Sequence, residues 1–287
     1  MNELEALGFL GLYMRLQDRI VYFANGRATL EADRAWSEFL EVRYLMDRVV
    51  SFSIYGNSSG DWQELLKGAL QRAEQLLRIR DDLAIYQMNK DNSLGMVPVT
   101  SFETFALFGV GLFDCIAKAI NSALSFEVSD FNCKFQNSIF ERKLESNSVD
   151  AYNYYQNSGM KELLSLLREF RNTVHEQPSG FTKIANARED YLIRLSHNAS
   201  ASFIKHQSAL GLMGCLGFLD PESNAHVKSL AIVEILLPAI FLKSNELVDL
   251  IQWPQNNPPP PLLSANPSDW NSEFNAIRNH SLYGIGI

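Results

Sequence analysis

Apolar residues recur along most of this chain at three- and four-residue intervals, the spacing of amphipathic helices rather than strands. In residues 2–24 the stripe is Leu4, Leu7, Leu10, Met14 and Val21. In 30–52 it is Trp36, Phe39, Leu40, Tyr44, Leu45, Val49 and Phe52, with Arg43, Asp47 and Arg48 as interleaved polar positions. Asn57-Ser58-Ser59-Gly60 predicts a loop, after which Asp61 caps a third helix and Glu64 is placed to answer back to the cap. That helix carries the stripe Leu65, Leu66, Ala69, Leu70, Ala73, Leu76 and Leu77. Residues 90–99, rich in Asn, Asp, Gly and Pro, predict a second loop, and Thr100 with Glu103 forms another capping pair. The helix expected over about 101–124 is apolar almost all round: Phe102, Phe105, Leu107, Phe108, Val110, Leu112, Phe113, Ile116, Ile120 and Leu124. Such a helix is buried on every side and predicts the centre of the domain. Gly109 and Gly111 within it predict a close helix contact or a kink.

Residues 126–150 are mixed and polar and predict a short helix between loops. A further helix begins near 149, or restarts near Ser158, and runs to about His175, where Gln177-Pro178-Ser179-Gly180 stops it. Residues 182–208 are weakly helical in pattern. Asp220-Pro221-Glu222 has the form of a helix start, with a cap, a proline at the first position and an acid in the first turn. The helix so opened is expected to reach about Trp253 and to bend at Pro238. Asn256-Asn257 and Pro258 to Pro261 then give a stiff extended segment, followed by a tail with Trp270, Phe274 and Tyr283. No internal repeat and little period-2 alternation are present. The expected fold is all-α, a multi-helix bundle around a buried central helix at about 101–124. Residues 1–256 form the bundle domain, 182–256 being a candidate elaboration, and 257–287 form a proline-initiated C-terminal tail.

The 287 residues are 46% hydrophobic and 20% charged, which suits a folded domain with a sizeable core. A net charge of −8 and a pI near 5.2 exclude a surface-wide electrostatic grip on nucleic acid, though not a local basic seam. Cys115, Cys133 and Cys215 are sparse, odd in number and in no CxxC pair, which argues against a disulfide framework or a zinc ribbon. The acidic start Met1-Asn2-Glu3-Leu4-Glu5 is not that of a signal peptide. The apolar run Leu230 to Leu242 is interrupted by Glu234 and Pro238. A cytoplasmic protein without a membrane span is expected.

The chemistry concentrates in Leu166-Leu167-Arg168-Glu169-Phe170-Arg171-Asn172-Thr173-Val174-His175-Glu176. Arg171 and His175 are four apart on a helix and share a face. A guanidinium beside a titratable imidazole is the minimum equipment for phosphodiester chemistry without a metal. Cations in the last turn also suit the helix dipole, so plain capping by Arg168, Arg171 and His175 is the competing reading. Other candidates carry less. Asp81-Asp82 after Arg78 and Arg80 lacks a third carboxylate, and Glu222 with His226, at i, i+4, has metal-ligand spacing but no second such pair. His197 and His206 are isolated, and no P-loop or GxGxxG is present.

The phrase Leu-Arg-Glu-Phe-Arg-Asn-Thr-Val-His-Glu resembles the signature of the HEPN superfamily of helical nucleotide-binding domains. That signature is an arginine, commonly followed by Asn, Asp or His, and then a histidine after four to six further residues. Here three residues separate Arg171 from His175, while Arg168 has six but is followed by Glu169. The resemblance implies a helical domain that dimerises and cleaves RNA without metal or cofactor, in a defence or toxin–antitoxin setting. Arg171, Asn172, His175 and Arg168 would be its catalytic residues. His175 would serve as acid or base, Arg171 or Arg168 would neutralise phosphoryl charge, and Asn172 would orient the histidine or the phosphate. Implied partners are an RNA substrate and a second copy of the chain. The alternative is a degenerate, non-catalytic interaction module, with a partner protein held through the C-terminal tail.

Overall fold

The computed structural model describes residues 61–89, 97–176, 180–182 and 192–254. The helices expected over 2–24 and 30–52, the loop at 57–60, the Gln177-Pro178-Ser179 stop and the 257–287 tail lie outside the described residues. Those described are mostly helical. Helices α1 (Asp61–Asn89), α2 (Val97–Ala123), α3 (Ser138–Asn147), α4 (Val149–Asn157) and α5 (Met160–Glu176) come first. Strands β1 (Gly180–Thr182) and β2 (Leu192–Arg194) follow, then α6 (His197–His206), β3 (Leu216–Leu219), β4 (Ala225–Lys228) and α7 (Ser229–Asp249).

By packing, the chain divides into two interleaved units: Met1–Glu74, Leu112–Tyr152 and Phe241–Ile287 in one, Gln75–Gly111 and Asn153–Ile240 in the other. Helices α1, α2, α4 and α7 run through both. In the first unit, the start of α1 buries Trp62, Leu66, Ala69 and Ala73, and the end of α2 buries Leu112, Phe113, Ile116 and Ile120. Trp62 stacks on Trp253 at 5.1 Å, whose Nε1 donates to the Val248 carbonyl. Between α2 and α3 the chain is a tightly determined loop. The Asn121 amide both donates to and accepts from the Val128 backbone at 3.0 Å. Phe126 and Phe135 pack on Phe140 of α3, and Asn137 caps that helix by accepting from the Ile139 N–H. Ser125, Glu127 and Gln136 hold the left-handed conformation, at φ of 52°, 57° and 68°. Each costs of the order of 1 kcal/mol or more and persists because the packing over-determines it.

In the second unit, α5 lies against the first half of α2. Phe170 meets Phe102 at 5.0 Å, and a Cβ on Gly109 would come within 3.3 Å of Leu167. The glycine therefore provides the close helix contact that the sequence suggests. Helix α6 packs on α5. The Ser200 hydroxyl at its start accepts from the Ala225 N–H at 2.8 Å, fastening α6 to β4.

Three sequence expectations change. Helix α2 begins at Val97, so Thr100 lies inside it and its carbonyl accepts from Thr104 rather than capping an end. Nor is α2 buried all round, since Leu107 is 50% exposed on a stripe with half-buried Ser101, Thr104, Gly111 and Lys118. By length and composition Pro98–Ala123 could cross a bilayer, with 56% of its most apolar window buried inside the protein. Third, the fold is not purely α. Four short strands form an antiparallel sheet in the order β1-β2-β4-β3.

The strands occupy two places where helix was expected. Residues 192–194 are β2, and only 197–206 of the 182–208 segment form a described helix. Asp220-Pro221 opens a β-turn between β3 and β4, and α7 begins at Ser229. An aspartate followed by proline suits the first two positions of a type I turn as well as a helix start. Here the turn wins because apolar strands flank it. The Ser223 N–H closes it onto the Asp220 carbonyl at 2.9 Å, and Ser223 takes the left-handed conformation that lets the chain return.

Candidate functional site

Helix α5 is built by one apolar stripe. Met160, Leu163, Leu164, Leu166, Leu167 and Phe170 are all essentially inaccessible. Each is worth roughly 1.5–3 kcal/mol of burial before entropy, so this face fixes the rotation of the helix. The residues between them, Glu162, Ser165, Arg168, Glu169, Arg171 and Asn172, are consequently left half-buried on the other side. Gly159, at φ +82°, precedes the first turn, and the helix continues unbroken to Glu176.

Three of the four sequence-nominated residues thus lie together on α5. Arg168 is half-buried, with its Nε enclosed. The Arg171 guanidinium donates from Nη2 to the Asn172 Oδ1 at 3.3 Å. Position 175 is in the last turn of the same helix, and its side chain lies outside the described residues. Two guanidinia and an amide on the second half of one helix can neutralise and orient an oxyanion, because arginine offers a planar fork of donors and stays charged at any physiological pH. No group of three or more His, Cys, Asp or Glu side chains suited to a metal ion occurs among the described residues.

The sheet carries a second polar constellation that sequence reasoning missed. Arg194 of β2 donates from Nε to Asp220 at 2.8 Å and from Nη2 to Glu222 at 2.6 Å. The other Asp220 oxygen accepts from the backbone N–H groups of Glu222 and Asn224, at 2.9 and 2.8 Å. In register, Arg194 sits opposite His226, and His226 opposite Phe218. The imidazole is buried and stacks on the Phe218 ring at 4.2 Å, with Nε2 3.5 Å from Asp220 and Nδ1 without a hydrogen-bond partner. The Arg194 guanidinium, followed by the Asn224 donors and His226, holds the Asp220 carboxyl well below the usual carboxylate range. Asp220 reciprocally raises the affinity of Arg194 for its proton, with Glu222 adding to it. Glu222 and His226 do not share a helix. They stand around Asp220 in a hairpin, and the ion-pair reading of Glu222 is the one observed. The Arg194 bonds to Asp220 and Glu222 lock β2 to the β3–β4 turn.

A third group joins α5 to α6. His206 is buried, and its affinity for a proton is lowered by that burial and by Lys205, against the opposing pull of Glu162. All three cysteines are buried free thiols. Burial pushes Cys133 up to about 12 and raises Cys115 and Cys215 as well. None is a poised nucleophile.

Compared with known proteins, the chain matches no family model, no curated protein and no solved structure.

Proposed function

We propose that this is a HEPN-like helical protein that cleaves RNA without metal, using the polar face at the end of α5, in a defence or toxin–antitoxin role. The observation that carries the reading is the gathering of Arg168, Arg171 and Asn172 on the half-exposed face of a helix that continues through position 175. In the reaction a ribose 2′-OH attacks the adjacent phosphorus, and its proton passes to His175 acting as base. The P–O5′ bond breaks, leaving a 2′,3′-cyclic phosphate and a 5′-hydroxyl end. The leaving oxygen takes a proton from an imidazolium supplied by a second copy across a two-fold. Arg171 or Arg168 neutralises the charge gathering on the non-bridging oxygens, and Asn172 orients the phosphate or the histidine.

The test is incubation of purified protein with labelled RNA in EDTA. Cleavage to cyclic-phosphate ends, lost in His175→Ala and reduced in Arg171→Ala, is expected. Undiminished cleavage by His175→Ala, or dependence on a divalent ion, refutes the reading.

One observation favours a second reading. The Arg171 guanidinium and the Asn172 amide bond to each other within the helix, so each has a partner without a phosphate. On that reading the protein is a non-catalytic interaction module and 257–287 is its contact surface. Deleting 257–287 then weakens partner binding, and no RNA cleavage is detected at all.

A further inference from the structure

Strand β3 is an edge of the sheet among the described residues, paired with β4 on one side only. Its sequence, Leu216-Gly217-Phe218-Leu219, carries neither a charge nor a proline, and no charged residue occurs from Gln207 to Leu219. Phe218 and Leu219 are adjacent, so they point to opposite faces of the sheet, yet they are 40% and 48% exposed. Both faces are therefore open at this end of the strand. Edge strands that stay unpaired ordinarily carry a lysine, a proline, a bulge or a covering segment. Apart from the register slip at Gly217, β3 has none of these among the described residues.

The turn geometry shows which main-chain groups face the open side. The Asp220 N–H donates to the Asn224 carbonyl at 3.0 Å, so 220 and 224 form a hydrogen-bonded pair. In an antiparallel ladder such pairs alternate with pairs whose N–H and C=O groups turn away from each other. The next pair is Leu219 with Ala225. Ala225 obeys the rule: its N–H donates to the Ser200 hydroxyl at 2.8 Å and its carbonyl accepts from the Leu195 N–H at 2.9 Å, both away from β3. Leu219 consequently directs its own N–H and C=O to the open edge, where no described residue bonds to either. A donor and an acceptor on one residue of a strand are matched by one residue of an extended chain, which exchanges both bonds. Charge gives that chain a direction. At the turn, Asp220 and Glu222 share the single guanidinium of Arg194, and the Glu222 side chain is 75% exposed.

We infer that β3 is a docking edge for an extended segment of a partner protein, which adds to the sheet as a further strand, with β-branched or aromatic residues beside Phe218 and Leu219 and a basic residue level with Glu222. The contact is short, so binding is weak and reversible. It is independent of the proposed nuclease reading, which concerns α5.

A displayed library of random peptides about eight residues long, selected on the full chain, tests it. Recovered peptides are expected to lack proline, to alternate β-branched or aromatic residues with others, and to carry lysine or arginine at one end. Binding of such a peptide in synthetic form is expected to protect the Leu219 amide from hydrogen exchange. Leu219→Pro removes an N–H that the ladder does not use, a change that edge strands tolerate. It is expected to weaken binding about tenfold with little change in melting temperature. Leu219→Val keeps the N–H and is expected to bind like the wild type. A selection that yields no strand-like peptide, a bound peptide that leaves exchange at Leu219 unchanged, equal binding by Leu219→Pro, or β3 edges already paired between two copies in solution overturns the proposal.

Discussion

Gly217 gives the sharpest test of how the sheet is held. It lies at the irregularity where β3 slips in register against β4. A Cβ at this position would stand 2.6 Å and 3.1 Å from the two methyl carbons of Leu192 and 3.0 Å from the His226 carbonyl oxygen. Two effects of Gly217→Ala oppose each other. Alanine in a strand gains roughly 0.5–1 kcal/mol over glycine through the lower entropy of its unfolded chain. Overpacking a closed site costs typically 1–3 kcal/mol. Leu192 is buried and the carbonyl belongs to the central strand, so neither neighbour yields cheaply. The expected net is a loss of about 1–2 kcal/mol, read as a lower urea midpoint at unchanged slope. Leu192→Ala alone should cost about 2–5 kcal/mol through the cavity it leaves. In the double variant the methyl clash is gone and only the carbonyl contact remains. The two losses should then fall short of additivity by about 1 kcal/mol or more. A Gly217→Ala protein as stable as wild type, or strict additivity, would mean that β3 does not approach Leu192 as described.

Other expectations follow from the buried titratable groups. His206 has a lowered proton affinity in the fold, so below about pH 6.5 the unfolded chain binds more protons than the native one. Its contribution is present above that pH and fades on acidification, and His206→Asn should flatten the loss of stability between pH 7 and 5. Asp220 is likewise shifted downward, around its own lower range: stability tied to its carboxylate is present above about pH 4 and is lost only as pH falls well below that. Asp220→Asn should remove that part of the acid limb in pH-dependent melts, and an unaltered limb would count against the Arg194 lock. Since all three thiols are buried and Cys133 is pushed up to about 12, none should react with a thiol reagent at pH 8 until the protein is unfolded by urea. Prompt labelling of the native state would contradict that burial.

The helices were legible because each carries several turns of one period. The stripe of α1 from Leu66 to Leu77, the apolar α2, and α5 with its stop near 176 can all be read from spacing alone. The strands were not, for a physical reason. At three or four residues, Leu192–Arg194 and Ala225–Lys228 are too short for alternation to declare itself, and β4 is buried on both faces. The Asp220-Pro221 pair misled because turn and helix start ask for the same two residues, and the flanking strands with the long-range Arg194–Asp220 contact decide between them. That contact joins positions 26 apart, and no local pattern encodes it. The candidate site was legible to the extent that it is local. Arg168, Arg171 and Asn172 share a face because they share a helix, whereas the constellation around Asp220 depends on the sheet.

Helix geometry also divides the labour between the two arginines of the proposed nuclease. Positions 171 and 175 are one turn apart, a rise of about 6 Å, and positions 168 and 175 are two turns apart, about 10 Å. A single phosphate can span groups one turn apart, so on that reading Arg171 would be matched to the phosphorus at which His175 would work. Arg168 would be matched to the neighbouring phosphate, where it would bind RNA without touching the reacting atoms. Lysine keeps the charge and loses the bidentate fork. Arg171→Lys should therefore lower kcat by about 100-fold, the order seen when one oxyanion donor is removed, with KM little changed. Arg168→Lys should instead raise KM and leave kcat near wild type. If the two variants exchange these behaviours, Arg168 holds the reacting phosphate. The six-residue spacing to His175 would then be the meaningful one, despite the Glu169 that follows Arg168.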